Sequence, residues 1–102
     1  AIHDCTLVIE EDPLVASAWS TRGRAKGALG DAKGAFDDCD RAIDLDPSDA
    51  GAWRVRGAAK LEFQDIEGAV EDLSQAISLN PEDKRSYAIR SVALGKLGKY
   101  NE

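Results

Sequence analysis

The residues able to do chemistry are few, and their spacing argues against catalysis. His3 is the sole histidine of the 102-residue chain, so a Ser-His-Asp or Cys-His nucleophile would have to be built on it. It falls near the chain start, on the predicted solvent side of a helix. The acidic clusters Glu10-Glu11-Asp12 and Asp37-Asp38-Asp40 are adjacent in sequence on predicted helices. Adjacent helical positions point in different directions, so these carboxylates do not converge on a metal, and no calcium loop with its glycine accompanies them. They read as a solvated face plus one member of an ion pair. Cys5 and Cys39 invite a redox or metal reading, but they lie 34 residues apart, in the same slot of successive units. Packed helices stand about 8–10 Å apart, and a disulfide needs Cα atoms closer than about 7 Å. Both therefore read as small buried thiols. The glycines sit at turns and packing points, with no phosphate-cradling loop. No catalytic activity, metal or cofactor is expected.

Two sets of charges repeat. Arg22, Arg56 and Arg90 share one slot, and Asp4, Asp38 and Asp72 share another. A ladder of ion pairs between helices is expected. Ligand binding by these arginines is the sharper reading, but the structural one is preferred because all three frames keep them. Lys26 and Lys60 should lay their stems on apolar surface and send their charge to water.

These sets belong to one period. Trp19, Trp53 and Tyr87 are spaced by 34 residues, as are Pro13, Pro47 and Pro81. Ala16–Asp49 laid over Ala50–Asp83 gives 16 identities in 34 positions. Such a period marks a stacked array, because one unit cannot bury its apolar face alone. Each unit should hold a helix A and a helix B. Helix A is expected over Ala16–Leu29, Ala50–Phe63 and Lys84–Leu97. Turns follow at Gly30-Asp31, Gln64-Asp65 and Gly98-Lys99. Helix B is expected over Ala32–Leu45 and Ile66–Leu79, with a further B at Ala1–Glu11. Asp12-Pro13, Asp46-Pro47 and Asn80-Pro81 stop the B helices, since proline disfavours α geometry before it and cannot continue the ladder. Ser48 or Asp49, and Glu82 or Asp83, are placed to cap the next helix A. Small residues recur where helices must approach, at Gly23, Gly57 and Ser91 on A, and at Ala1, Ala35, Ala69, Ala42 and Ala76 on B. Trp19 and Trp53 read as wedges between A and B. Leu29, Phe63, Phe36, Val70, Ile43, Ile77, Leu45 and Leu79 should fill the remaining stripe.

The order Trp19, Gly23, Ala35, Ala42, Pro47 and then Trp53, Gly57, Ala69, Ala76, Pro81 resembles the tetratricopeptide repeat, a 34-residue helix–turn–helix unit. The resemblance covers the whole chain. It departs where the family's Leu before Gly is Arg22, Arg56 and Arg90, and where its Tyr after Gly is Lys26, Lys60 and Leu94. The third unit has Tyr87 for Trp and Ser91 for Gly. The implied fold is all-α, a helix–turn–helix solenoid or α–α superhelix. It has three repeat equivalents in B-A-B-A-B-A order: a leading helix B over 1–15, full repeats over 16–49 and 50–83, and a final helix A over 84–102. Glu102 joined to Ala1 reads as an unbroken turn and helix B. A piece of a longer or engineered array, or head-to-tail stacking through the unpaired terminal helices, would explain this.

Composition bounds the partners. The net charge of −6 argues against general nucleic-acid affinity, and there is no apolar run of about 18 residues for a membrane span. An intracellular, cytoplasmic setting suits two unpaired cysteines. The resemblance implies that helix A lines the concave face of a right-handed superhelix, where ligand peptides lie. The matching positions are Ser17, Ser20, Arg24, Gly27 and Ala28, then Gly51, Arg54, Ala58, Leu61 and Glu62, then Arg85, Ala88, Val92, Gly95 and Lys96. Four are basic and one acidic, against the acidic whole, which suggests an extended acidic segment as ligand. Chaperone-binding members clamp a terminal carboxylate. The corresponding slots here are Ser20 and Arg24, then Val55, then Arg85 and Ile89, and only Arg85 keeps its counterpart's charge. A chaperone-tail clamp is therefore not expected. The leading expectation is a non-catalytic scaffold that binds a protein or peptide; the alternative is an assembly module stacking end to end.

Overall fold

Apolar stripes at helical spacing, punctuated by proline, give six helices and no strand in residues 1–101, the residues that the computed structural model describes. They are α1 (Ile2–Glu11), α2 (Ala16–Ala28), α3 (Ala32–Leu45), α4 (Ala50–Glu62), α5 (Ile66–Leu79) and α6 (Lys84–Asn101). The residue before each proline is pushed out of α geometry: Asp12, Asp46 and Asn80 close the B helices at φ −145°, −148° and −140°. Asp49, Asp31 and Asp65 cap the helices that follow them by accepting from the amides of Ala52, Gly34 and Gly68. Between α2 and α3, and between α4 and α5, the chain reverses through one left-handed residue, Gly30 at φ 86° and Gln64 at φ 67°. The amides of Asp31 and Asp65 then donate to the carbonyls of Lys26 and Lys60 at 2.9 Å, which ties off both helix ends. The turn expected at Gly98-Lys99 does not form. Gly98 stays out of the left-handed region and α6 continues to Asn101.

Each helix packs on the next, and α4 also touches both α2 and α6, whereas α1, α3 and α5 do not touch one another. Closer spacing in the A layer curves the stack, so the A helices form its inner side. The result is elongated, 50 × 25 × 20 Å. Its interior is a thin seam of small residues: Ala42, Ala52, Ala69 and Ala76 have no solvent exposure. Gly23 and Gly57 let the A–B pairs cross closely. A Cβ added at Gly23 would meet the Cys39 Sγ at 2.7 Å, and one at Gly57 the Leu73 Cγ at 3.0 Å. Trp19 and Trp53 are half-buried, and both pack against the cluster of Cys39, Ala42, Ile43 and Ala52. Their indole N–H groups donate to the carbonyls of Pro13 and Pro47, at 2.9 and 2.8 Å. They wedge A against B as expected, and they also pin the preceding corner.

Three expected fillers are instead largely exposed: Leu29 (77%), Phe63 (49%) and Leu79 (37%). They stand at helix ends, beyond the crossing where the helices cover each other. Phe63 keeps one edge-on contact, with the Phe36 ring at 6.1 Å. The cysteines also part company. Both are free thiols, but Cys39 is fully buried and Cys5 only half-buried, since α1 packs on α2 alone. Burial, with the Asp38 charge adding to it, pushes the Cys39 thiol up to about 12. A thiol reagent at neutral pH is accordingly expected to modify native Cys5 and to reach Cys39 only after unfolding. Equal rates at the two positions, read by peptide mass analysis, would contradict this packing.

Candidate functional site

The repeated arginines fold inward as structural clasps. Arg22 grips Asp38 with two guanidinium bonds of 2.8 Å, and Arg56 grips Asp72 at 2.8 and 3.0 Å. The remaining guanidinium nitrogen reaches back to the preceding helix B: Arg22 to the Thr6 hydroxyl, Arg56 to the Asp40 carboxylate at 2.8 Å, Arg90 to the Ser74 hydroxyl. Each guanidinium also lies over its own aromatic ring, Trp19, Trp53 or Tyr87, at 5.1, 4.9 and 5.6 Å. The bonds to Asp38 and Asp72 hold the protons of Arg22 and Arg56 more tightly than usual. Lys26 and Lys60 depart from expectation. Their ammonium groups turn in to the same buried carboxylates, each at 3.2 Å, because a buried carboxylate with lone pairs to spare is a better partner than water at that distance. Asp4 is not in the ladder. The pairing runs from an arginine to an aspartate sixteen residues on, and none of the described residues stands in that place for Asp4.

With those charges consumed, the inner A-helix face is left as the candidate site. A cavity of about 240 Å³ opens between α2, α4 and α6. Its lining is largely apolar: Gly27 and Ala28 from α2, Ala32 and Ala35 from α3, Val55, Ala58 and Ala59 from α4, and Ile89 from α6. Arg24, Arg54, Glu62 and Arg85 supply the charges around it. A shallower bay of about 450 Å³ adjoins it, lined by Arg24, Arg54, Asn80, Glu82, Asp83, Lys84 and Arg85.

Of the residues selected from the sequence, Arg24, Arg54, Ala58, Glu62 and Arg85 come together at this cavity, with Gly27 and Ala28. Ser17, Leu61, Val92 and Lys96 do not line it, although Val92 is 54% exposed further along α6. Ser20 is a correction: it is 2% exposed, a side chain short enough to be covered where α2 packs against its neighbours. Arg54 is a second. Its guanidinium donates to the Asp83 carboxylate at 2.8 Å, with both side chains mostly buried. Burial pushes the Asp83 carboxyl up, but bonds from Arg54 and Ser86 together with the Arg54 charge outweigh it and hold the group below its usual range. Arg54 is thus committed to the corner before α6. Arg24, Lys84, Arg85 and Lys96 are exposed and enter no ion pair among the described residues. The apolar floor escaped the sequence reading because Ala32, Ala35 and Ala59 look like packing positions until three helices are set side by side.

Among the described residues, no group of three or more His, Cys, Asp or Glu side chains can hold a metal ion, and no helix is long and apolar enough to cross a membrane. His3 is exposed on α1.

Alternating helices, an inner layer formed by every second one, and a groove along that layer define a helical-repeat domain. The family model described as tetratricopeptide repeat matches residues 31–93, and the chain belongs to that family. No curated protein matches it in sequence. Solved structures do. The first repeat domain of Spaghetti (RPAP3), bound to the HSP90 peptide SRMEEVD, is 26% identical with a TM-score of 0.89, over 95% of this chain and 77% of that one. The second repeat domain of human RPAP3, in complex with the HSP70 peptide SGPTIEEVD, is 27% identical with a TM-score of 0.82, over 90% and 77%. The Sgt2 domain from Aspergillus fumigatus shares the fold at 24% identity and a TM-score of 0.90, over 98% and 68%.

Proposed function

We propose that this domain is a non-catalytic interaction scaffold that binds an extended acidic segment of a partner protein along the inner A-helix groove. The observation that carries the reading is the pair of exposed cations Arg24 and Arg85, which enter no ion pair among the described residues, beside an apolar hollow in a chain of net charge −6. Local charge of opposite sign to the whole steers and selects an acidic ligand. The RPAP3 domains, whose structures hold the acidic peptides SRMEEVD and SGPTIEEVD, support the same class of partner. The acidic surface disfavours nucleic acid, and the two free thiols suit a reducing intracellular setting.

End-to-end stacking is the weaker reading. A second copy's α1 placed on α6 would meet Ser91 in the slot of Gly23 and Gly57, where even a Cβ comes within 2.7–3.3 Å of the facing helix. That seam would have to open relative to the internal ones. The test is fluorescence anisotropy with a labelled peptide of Asp, Glu and Ser, beside a Lys/Ser control. The acidic peptide is expected to bind and the control not. Arg24→Glu with Arg85→Glu should weaken binding about tenfold or more, and added salt should weaken it further. Equal affinity for both peptides would remove the reading, and light scattering that grows with concentration would favour assembly.

A further inference from the structure

Resting on that reading, we infer that the hollow anchors one aliphatic side chain from within an acidic segment, and that Arg24 and Arg85 take the carboxylates of flanking side chains, so no free chain end is needed. The geometry divides the labour. The floor is hydrocarbon, with Ala35 and Ala59 buried and Val55 and Ile89 half-buried. None of these side chains donates a hydrogen bond. A carboxylate placed on that floor would lose its water and gain nothing in return, a penalty no neighbouring donor offsets. Arg54, close to the floor and itself mostly buried, is already bound to Asp83 at 2.8 Å. Arg24 and Arg85 are exposed, so they meet carboxylates at the rim, where water still reaches. Apolar floor and cationic rim together describe an aliphatic residue with acidic neighbours. Glu62, exposed and also beside the cavity, bars a carboxylate from its own side and so restricts which flank is acidic.

The experiment uses three peptides of Asp, Glu and Ser, each capped by fluorescein at the N-terminus. One has a central leucine and an amidated C-terminus, one the same leucine and a free C-terminus, and one a serine for the leucine and an amide. The amidated and free forms are expected to bind within about twofold of each other. The serine peptide should bind about tenfold or more weakly, as expected for losing one buried aliphatic side chain. Ala58→Leu, which fills the hollow from a half-buried position, should bring the leucine peptide to the level of the serine one while leaving the melting curve in place. Binding that requires the free C-terminus, or equal affinity for leucine and serine peptides, or an Ala58→Leu protein that still prefers leucine, overturns the inference and leaves the scaffold reading standing. Failure of all three peptides to bind overturns both.

Discussion

Asp38→Ala is expected to lower stability by about 3 kcal/mol, seen as a fall of roughly 15 °C in the melting temperature. Asp38 is 2% exposed, and its carboxylate accepts from Arg22 twice and from Lys26 once. Removing it leaves two cations facing a seam, and breaking a buried ionic group on one side costs about 3–5 kcal/mol. The lower end applies because the Arg22 and Lys26 side chains keep 16% and 24% exposure, so water takes up part of their charge. Asp72→Ala should cost less. Arg56 would still hold Asp40 at 2.8 Å, whereas Arg22 would be left with the Thr6 hydroxyl alone at 3.2 Å. Thermal unfolding followed by circular dichroism measures both. Two variants that melt within a degree of the parent would show that these clasps are surface decoration.

Gly57→Val should be comparably severe, at about 3 kcal/mol, and a graded series explains why. The Cβ of an alanine at this point would sit 3.0 Å from the Leu73 Cγ, 3.2 Å from the Asp72 Cβ and 3.3 Å from the Ala69 carbonyl oxygen. Leu73 is fully buried and the carbonyl is backbone, so neither yields without moving α5. Alanine gains about 1 kcal/mol in helix propensity over glycine, which offsets part of the overpacking and leaves Gly57→Ala about 1 kcal/mol worse than the parent. Valine adds two methyl groups and gives back much of that propensity. Gly95 provides the contrast, since a Cβ there meets nothing within 4 Å. Gly95→Ala is expected to stabilise by about 1 kcal/mol. Urea titrations that moved Gly57→Ala and Gly95→Ala in the same direction would refute the close crossing of α4 and α5.

The repeat period made the fold legible, because spacing alone set where helices stop and where small residues must lie. Asp-Pro and Asn-Pro fixed the B-helix ends, and Gly23 and Gly57 marked the crossings. The charges were harder. Arg22 with Asp38 followed from recurrence, but the inward turn of Lys26 did not, since a lysine stem reaches water or a buried carboxylate equally well until the carboxylate's depth is known. Arg54 looked like groove charge because its partner Asp83 is 29 residues away, across a corner whose path the pattern does not specify. Ser20 looked exposed on a helix face, and its burial depends on how closely the neighbouring helices approach. The cavity floor is a property of three helices at once, which no single period records.

The arginine clasp also constrains how a chain of this kind can lengthen. Arg22 and Arg56 each touch the helix before and the helix after, and Arg90 the helix before, through slots that accept Thr6, Asp40 or Ser74 alike on that preceding side. Duplicating a whole 34-residue unit would hand every arginine an acceptable partner in both directions. An insertion of any other length inside a helix would put side chains of the wrong type into those slots on both flanks together. Growth by entire modules is therefore tolerated, and point-sized gains or losses of length are confined to the corners.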